Sequence, residues 1–123
     1  MPDIPAVRAQ LEKAKREERI IRLTAEQVIK DFARFGMEVI FPKETSRAYE
    51  DLHVQLALHL ERLLSGKRTS LEALLYQIDL NQKKVLPILG RENAALEISD
   101  MILERELVKV LTRIYFSEKQ QGL

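Results

Sequence analysis

Apolar positions recur along this chain at steps of three and four residues, the spacing of amphipathic helices, over most of its length. Val28, Ile29, Phe32 and Phe35 share one side of a helix that Gly36 is placed to end. Between Thr45 or Ser46 and Ser65-Gly66, steps of 100° put Tyr49, Leu52, His53, Leu56, Leu60, Leu63 and Leu64 on one broad face. "TSLE" at 69–72 reads as a capping box that opens a short helix carrying Leu71, Leu74, Leu75 and Ile78. "DLNQ" at 79–82 offers another cap, so the chain is expected to break at Asp79 and restart through "NQKKVL" until Pro87 and Gly90. The last pattern predicts a long helix from about Asn93 to Lys119.

At the other end, Asp3 is placed to cap a first helix that tolerates Pro5 in its opening turn and runs to about Leu23. "TAEQ" at 24–27 reads as the capping box of the next helix. "MEVIFP" at 37–42 is the one run with strand chemistry, and a single run cannot make a sheet. An extended connector laid over the core is expected there, with edge pairing to a second copy as the alternative. The pattern thus predicts an all-α fold, a single helical domain over 1–123 built as a bundle of five or six helices. It has a long C-terminal helix, a short extended connector at 37–42, a charged and peripheral helix at 1–23 and a frayed tail at 120–123.

Composition narrows the chemistry. Of 123 residues, 46% are hydrophobic and 32% charged, which suits a folded chain rather than a disordered one. Cysteine is absent, which excludes disulfides, thiolate metal sites and cysteine nucleophiles. No apolar run has the length of a signal sequence or a membrane span, so a cytoplasmic protein with no membrane partner is expected. Net charge is only +1, but residues 8–22 hold six basic side chains against three acidic ones. Glu12–Arg16 and Glu18–Arg22 stand four apart with the acid first, which favours a solvated, self-paired helix over a nucleic-acid arm.

Both histidines lie in "YEDLHVQLALHLERLL", 49–64, and one forms Glu50-x-x-His53. Carboxylate-bridged metal bundles need two such motifs and further inward glutamates. Leu56 stands three residues before His59, so there is no second motif, and Glu97, Glu104 and Glu106 qualify as ligands only by residue type. His53 and His59, six apart, point about 120° away from each other and cannot share a metal. Metal binding by Glu50 and His53 is therefore the least favoured reading, and no cofactor is expected. The serines lie in no nucleophile-elbow context and the glycines stand singly, so nothing points to an enzyme. Residues 70–89 read as a degenerate helix-turn-helix that would display Gln82, Lys83 and Lys84 to DNA. Leu74 and Leu75 stand where a small residue is wanted, the turn lacks glycine, and Pro87 interrupts the reading helix. A DNA-binding regulator is the alternative function.

The leading expectation comes from helices with two apolar faces. Val54 and Leu58 lie opposite the main face of their helix. On the last helix Leu96, Leu103, Leu107, Val110 and Ile114 form one seam, interrupted by Asp100, while Ile98, Met101, Ile102, Val108 and Phe116 form another face. Such helices are central in a bundle or shared between subunits. The expected function is a non-enzymatic interaction module that self-associates, as a two-fold homodimer, through Val54, Leu58, Ile98, Met101, Ile102 and Val108. The competing expectation packs the second face of the last helix against the first helix and "MEVIF" within a monomer.

Overall fold

The charged N-terminal run is two helices, not one. The computed structural model describes the backbone of residues 5–66 and 68–121 and the side chains of 8–66 and 68–117. The expected cap at Asp3 and the last two residues of the expected frayed tail lie outside the described residues. Helix α1 spans Pro5–Ala14 and α2 spans Glu18–Ala33, with Glu17 extended between them. The break swings Leu11 and Ala14 onto a small cluster with Ile20, Leu107 and Val110, so this helix contributes to a core and is not merely peripheral.

Helix α2 runs straight through "TAEQ", contrary to the capping-box reading. Its apolar phase is continuous from Ile20 and Ile21 to Val28 and Phe32, and burial of that stripe keeps the helix going. Thr24 is buried in mid-helix and satisfies its hydroxyl by donating to the Ile20 carbonyl, 2.8 Å away. Gly36, at φ 71°, closes the helix: the Met37 N–H reaches back to the Phe32 carbonyl and the Gly36 N–H to that of Ala33.

Residues 37–44 form the expected connector, and none of the described residues is in a strand. A 3₁₀ turn at Thr45–Arg47 leads into α3, Ala48–Gly66. Helix α4 covers Arg68–Ile78, so Thr69 sits inside its first turn rather than capping it. Asp79 adopts a left-handed φ of 65° and ends α4 as Gly36 ends α2, with Leu80 N–H bonded to the Leu75 carbonyl. Asn81, not Asp79, caps α5 (Gln82–Val85), its side chain accepting from the Lys83 N–H at 2.9 Å. A 3₁₀ turn through Pro87 follows, and α6 extends over Ala94–Gln121, through the first two residues of the expected frayed tail.

The result is an all-α, single-domain fold with α6 at its centre. Its largest contacts are with α3 and α2, while α4 packs on α3. The main core joins Val28 and Phe32 of α2, Leu52, Leu56 and Leu60 of α3, Leu74 and Ile78 of α4, and Ile98 and Ile102 of α6. Ile98 and Ile102, expected at a subunit interface, are fully buried within this chain. Met101 packs against the same core and Val108 against the cluster under α1, both partly buried. The second face of α6 is covered from inside as far as Val108, because α6 packs on both α2 and α3 with α1 closing on Leu107 and Val110, while Phe116 beyond them is exposed. Asp100, at the gap in the apolar seam, is exposed. Among the described residues no helix is long and apolar enough to cross a membrane.

Candidate functional site

Helix α3 presents three different rows of side chains. Leu52, Leu56, Leu60 and Leu63 face the core. A second set grips neighbouring backbone. His53 Nε2 lies 2.8 Å from the Leu96 carbonyl on α6, and His59 Nε2 lies 2.7 Å from the Glu38 carbonyl. A carbonyl only accepts, so each histidine carries its hydrogen on Nε2 and donates it. Gln55 binds Ile40 twice: its Oε1 accepts from the Ile40 N–H at 2.8 Å and its Nε2 donates to the Ile40 carbonyl at 2.9 Å. One side-chain amide meets both groups only if they point the same way, as they do in extended backbone. Gln55 therefore stands in for a neighbouring strand, and with His59 it fixes the connector along the flank of α3.

The third row faces outward. Val54 and Leu58, one turn apart, are 58% and 56% exposed. Because the connector is tied to the flank, a groove of about 690 Å³ opens between it and this part of α3. Ile40 and Phe41, 60% and 44% exposed, line it together with Val54, and Gln55 contributes to its lining. Lys43 and Arg47 bring positive charge to the groove, and Glu44, Glu50 and Asp51 bring negative charge. Arg47 and Glu50 pair with each other at 3.3 Å in a solvated contact.

A separate polar cluster is buried between α2 and α6. Glu106 is fully buried and Asp31 is only 2% exposed. The Lys109 ammonium, on the turn after Glu106, lies 2.7 Å from Glu106 Oε1 and 3.4 Å from Asp31 Oδ2. It also donates to the Ile78 carbonyl at the end of α4. Gln27 donates to Asp31 at 3.1 Å and accepts from Arg113 at 2.9 Å, so it serves this cluster and not a helix cap. Both oxygens of Glu106 lie outside hydrogen-bonding alignment with any donor, despite the short approach of Lys109. Burial first, and then the facing Asp31 carboxylate, push Glu106 up to about 8 against the pull of Lys109. For Asp31 burial acts upward, but hydrogen bonds from Glu106, Gln27 and Lys109 together outweigh it and hold the carboxyl below its ordinary range.

The structure does not bring the metal candidates together. Glu50 points to Arg47, His53 to the Leu96 carbonyl, Glu97 to Arg91, and Glu106 to Asp31 and Lys109. No group of three or more histidine, aspartate or glutamate side chains able to hold a metal occurs among the described residues. Gln82, Lys83 and Lys84 are exposed, but α5 is one turn long and Pro87 follows it in a 3₁₀ turn. That is too short to lay several side chains along a major groove. Of the expected interface residues, Val54 and Leu58 alone are open to solvent, while Ile98, Ile102, Met101 and Val108 are engaged in the core. Ile40 and Phe41 join them from the connector, where the sequence marked only a strand-like run and gave no sign that these two side chains face outward. No family model, curated protein or solved structure matches the chain, so its function is read from its own geometry.

Proposed function

We propose that this protein is a non-enzymatic helical interaction module that pairs with a second copy of itself through the outer row of α3 and the connector beside it. The observation that carries this reading is the grouping of Ile40, Phe41 and Val54 around one groove, with Leu58 a turn further along the same row. Apolar side chains scattered singly on a surface need no explanation, but a contiguous set bordered by charge marks an interaction surface. The border supports a second copy as the occupant. It carries Lys43 and Arg47 as well as Glu44, Glu50 and Asp51, and a charged border of both signs is self-complementary about a two-fold axis, the basic groups of each copy facing the acidic groups of the other. The apolar face shared out on α6 is not part of this surface.

The test is the mass in solution of the wild type and of a Val54→Asp, Leu58→Glu double variant, by light scattering from micromolar to millimolar concentration. A concentration-dependent dimer that the double variant abolishes, with helical content and unfolding midpoint retained, is the expected result. A wild type that stays monomeric throughout, or a variant that still dimerises, overturns the reading.

A further inference from the structure

We propose that Asp31 and Glu106 hold a single proton between them across the α2–α6 contact, with Lys109 as their counter-charge, and that this proton latches α2, α4 and α6 together. With one proton on the carboxyl pair, the three groups sum to zero charge, which a buried cluster can tolerate. The Lys109 ammonium lies 2.7 Å from Glu106 Oε1 and 3.4 Å from Asp31 Oδ2, so both buried carboxyls gather around one cation, close enough for a neutral Glu106 to turn its O–H toward the Asp31 carboxylate. Lys109 then extends the junction to α4 through the Ile78 carbonyl. When the proton leaves to solvent, the cluster carries two negative charges against one positive, and the surplus is buried.

The groups acting on Glu106 are few. From α2 comes Asp31, itself held by Gln27; from its own helix comes Lys109, with Arg113 reached only through Gln27. From the end of α4 comes the Ile78 carbonyl, because Asp79 turns its carboxylate to Arg105 at 2.9 Å. Helix α3 directs His53 to Leu96, and its acids Glu50 and Asp51 are exposed. The two carboxyls have opposite linkage. Glu106, raised above its ordinary 4.5 to about 8, contributes stability that is complete below pH 4.5 and is lost as pH rises through 8. Asp31, held below its ordinary 3.8, contributes stability present above that value and lost as pH falls through its lower folded one. The junction is thus tightest in mildly acidic solution and loosens toward alkaline pH.

Two measurements test this. In protein carrying ¹³C at every glutamate side-chain carboxyl, one resonance is expected to titrate near pH 8, well apart from the rest. If every glutamate titrates below pH 6, the proposal is wrong, whatever any variant does. Denaturant unfolding is then compared for wild type and Glu106→Gln, where the amide mimics the neutral acid. Between pH 6 and pH 9 the wild type should lose on the order of 100-fold in its folding equilibrium relative to the variant. Parallel curves for the two proteins overturn the latch. Should Glu106→Gln fail to fold, the carboxyl titration of the wild type decides alone.

Discussion

Helices α3 and α6 carry the same signature in sequence, two apolar faces, and the bundle treats them oppositely. On α6 the apolar side chains of both faces from Ile98 to Val110 are packed within the chain, by α3, α2 and, through Leu11 and Ala14, α1, and of those two faces only Leu96 and Phe116 toward the helix ends are open. On α3 the core row is buried, but Val54 and Leu58 look out to solvent. The connector does not cover them. Instead Gln55 and His59 tie it down by its backbone along the flank, and its own Ile40 and Phe41 add to the exposed surface. A second apolar face therefore states that a helix needs covering on two sides. It does not state who does the covering, because that depends on the place of the helix in the bundle.

The contrast breaks most readily on α6. Ile98 and Ile102 are fully buried, and truncation leaves a cavity that the surrounding helices cannot fill. Ile102→Ala is expected to cost about 3 kcal/mol, and Ile98→Ala a similar amount, read from urea unfolding at a fixed protein concentration. A cost that grows with protein concentration would instead place these residues at an interface, and α6 would no longer differ from α3.

The next largest effect concerns the device that keeps the outer row of α3 uncovered. Gln55→Ala removes both side-chain bonds to Ile40, and since Ile40 is well exposed, water replaces part of what is lost. About 1–2 kcal/mol is expected, with faster hydrogen exchange at the Ile40 amide and unchanged helical content. An Ile40 amide that exchanges no faster in the variant would show that something other than Gln55 holds the connector, and the account of the open groove would have to be redrawn.

These two cases also show what a sequence lays open. The helical stripes are legible because burying one face forces the 3.6-residue period, and the left-handed stop at Gly36 follows from the residue that tolerates it. The break at residues 15–17 is not legible, since Lys15, Arg16 and Glu17 are all good helix formers. Docking of Leu11 and Ala14 onto α6 decides it, a contact nearly a hundred residues away. Thr24 misleads for a related reason: its hydroxyl finds a partner inside a helix as readily as at a helix start. Half of the buried acid pair was readable. Asp31 falls three after Val28 and four before Phe35, and Glu106 three after Leu103 and four before Val110, so each interrupts an apolar stripe. That they interrupt it at the same height on facing helices is a property of the fold alone.

Smaller effects separate backbone geometry from surface chemistry. Asp79 holds a left-handed φ at the end of α4, the task that glycine performs at Gly36, and Arg105 binds both its carbonyl and its carboxylate. Alanine and glycine both remove the carboxylate, so comparing them isolates the backbone. Asp79→Ala should be less stable than Asp79→Gly by about 1 kcal/mol in thermal or urea unfolding. Equal stabilities would mean that the turn relaxes out of the left-handed region once Arg105 loses its partner.

The smallest expected effect falls on the outer row itself, and it sharpens the contrast from the other side. In dilute solution, where copies are apart, Leu58→Ala should change the unfolding free energy by no more than about 0.5 kcal/mol, because more than half of the side chain already meets water. Chemically this is nearly the same truncation as Ile102→Ala, one apolar side chain cut back to a methyl group. If Leu58→Ala instead costs several times this amount at every concentration, Leu58 is covered within the single chain, and the open face of α3 is lost as a docking surface. If the cost is small when dilute and grows as the protein is concentrated, the residue gains its cover from a second copy. The same kind of truncation on two helices of one bundle then measures directly which apolar face the chain covers for itself and which it leaves open.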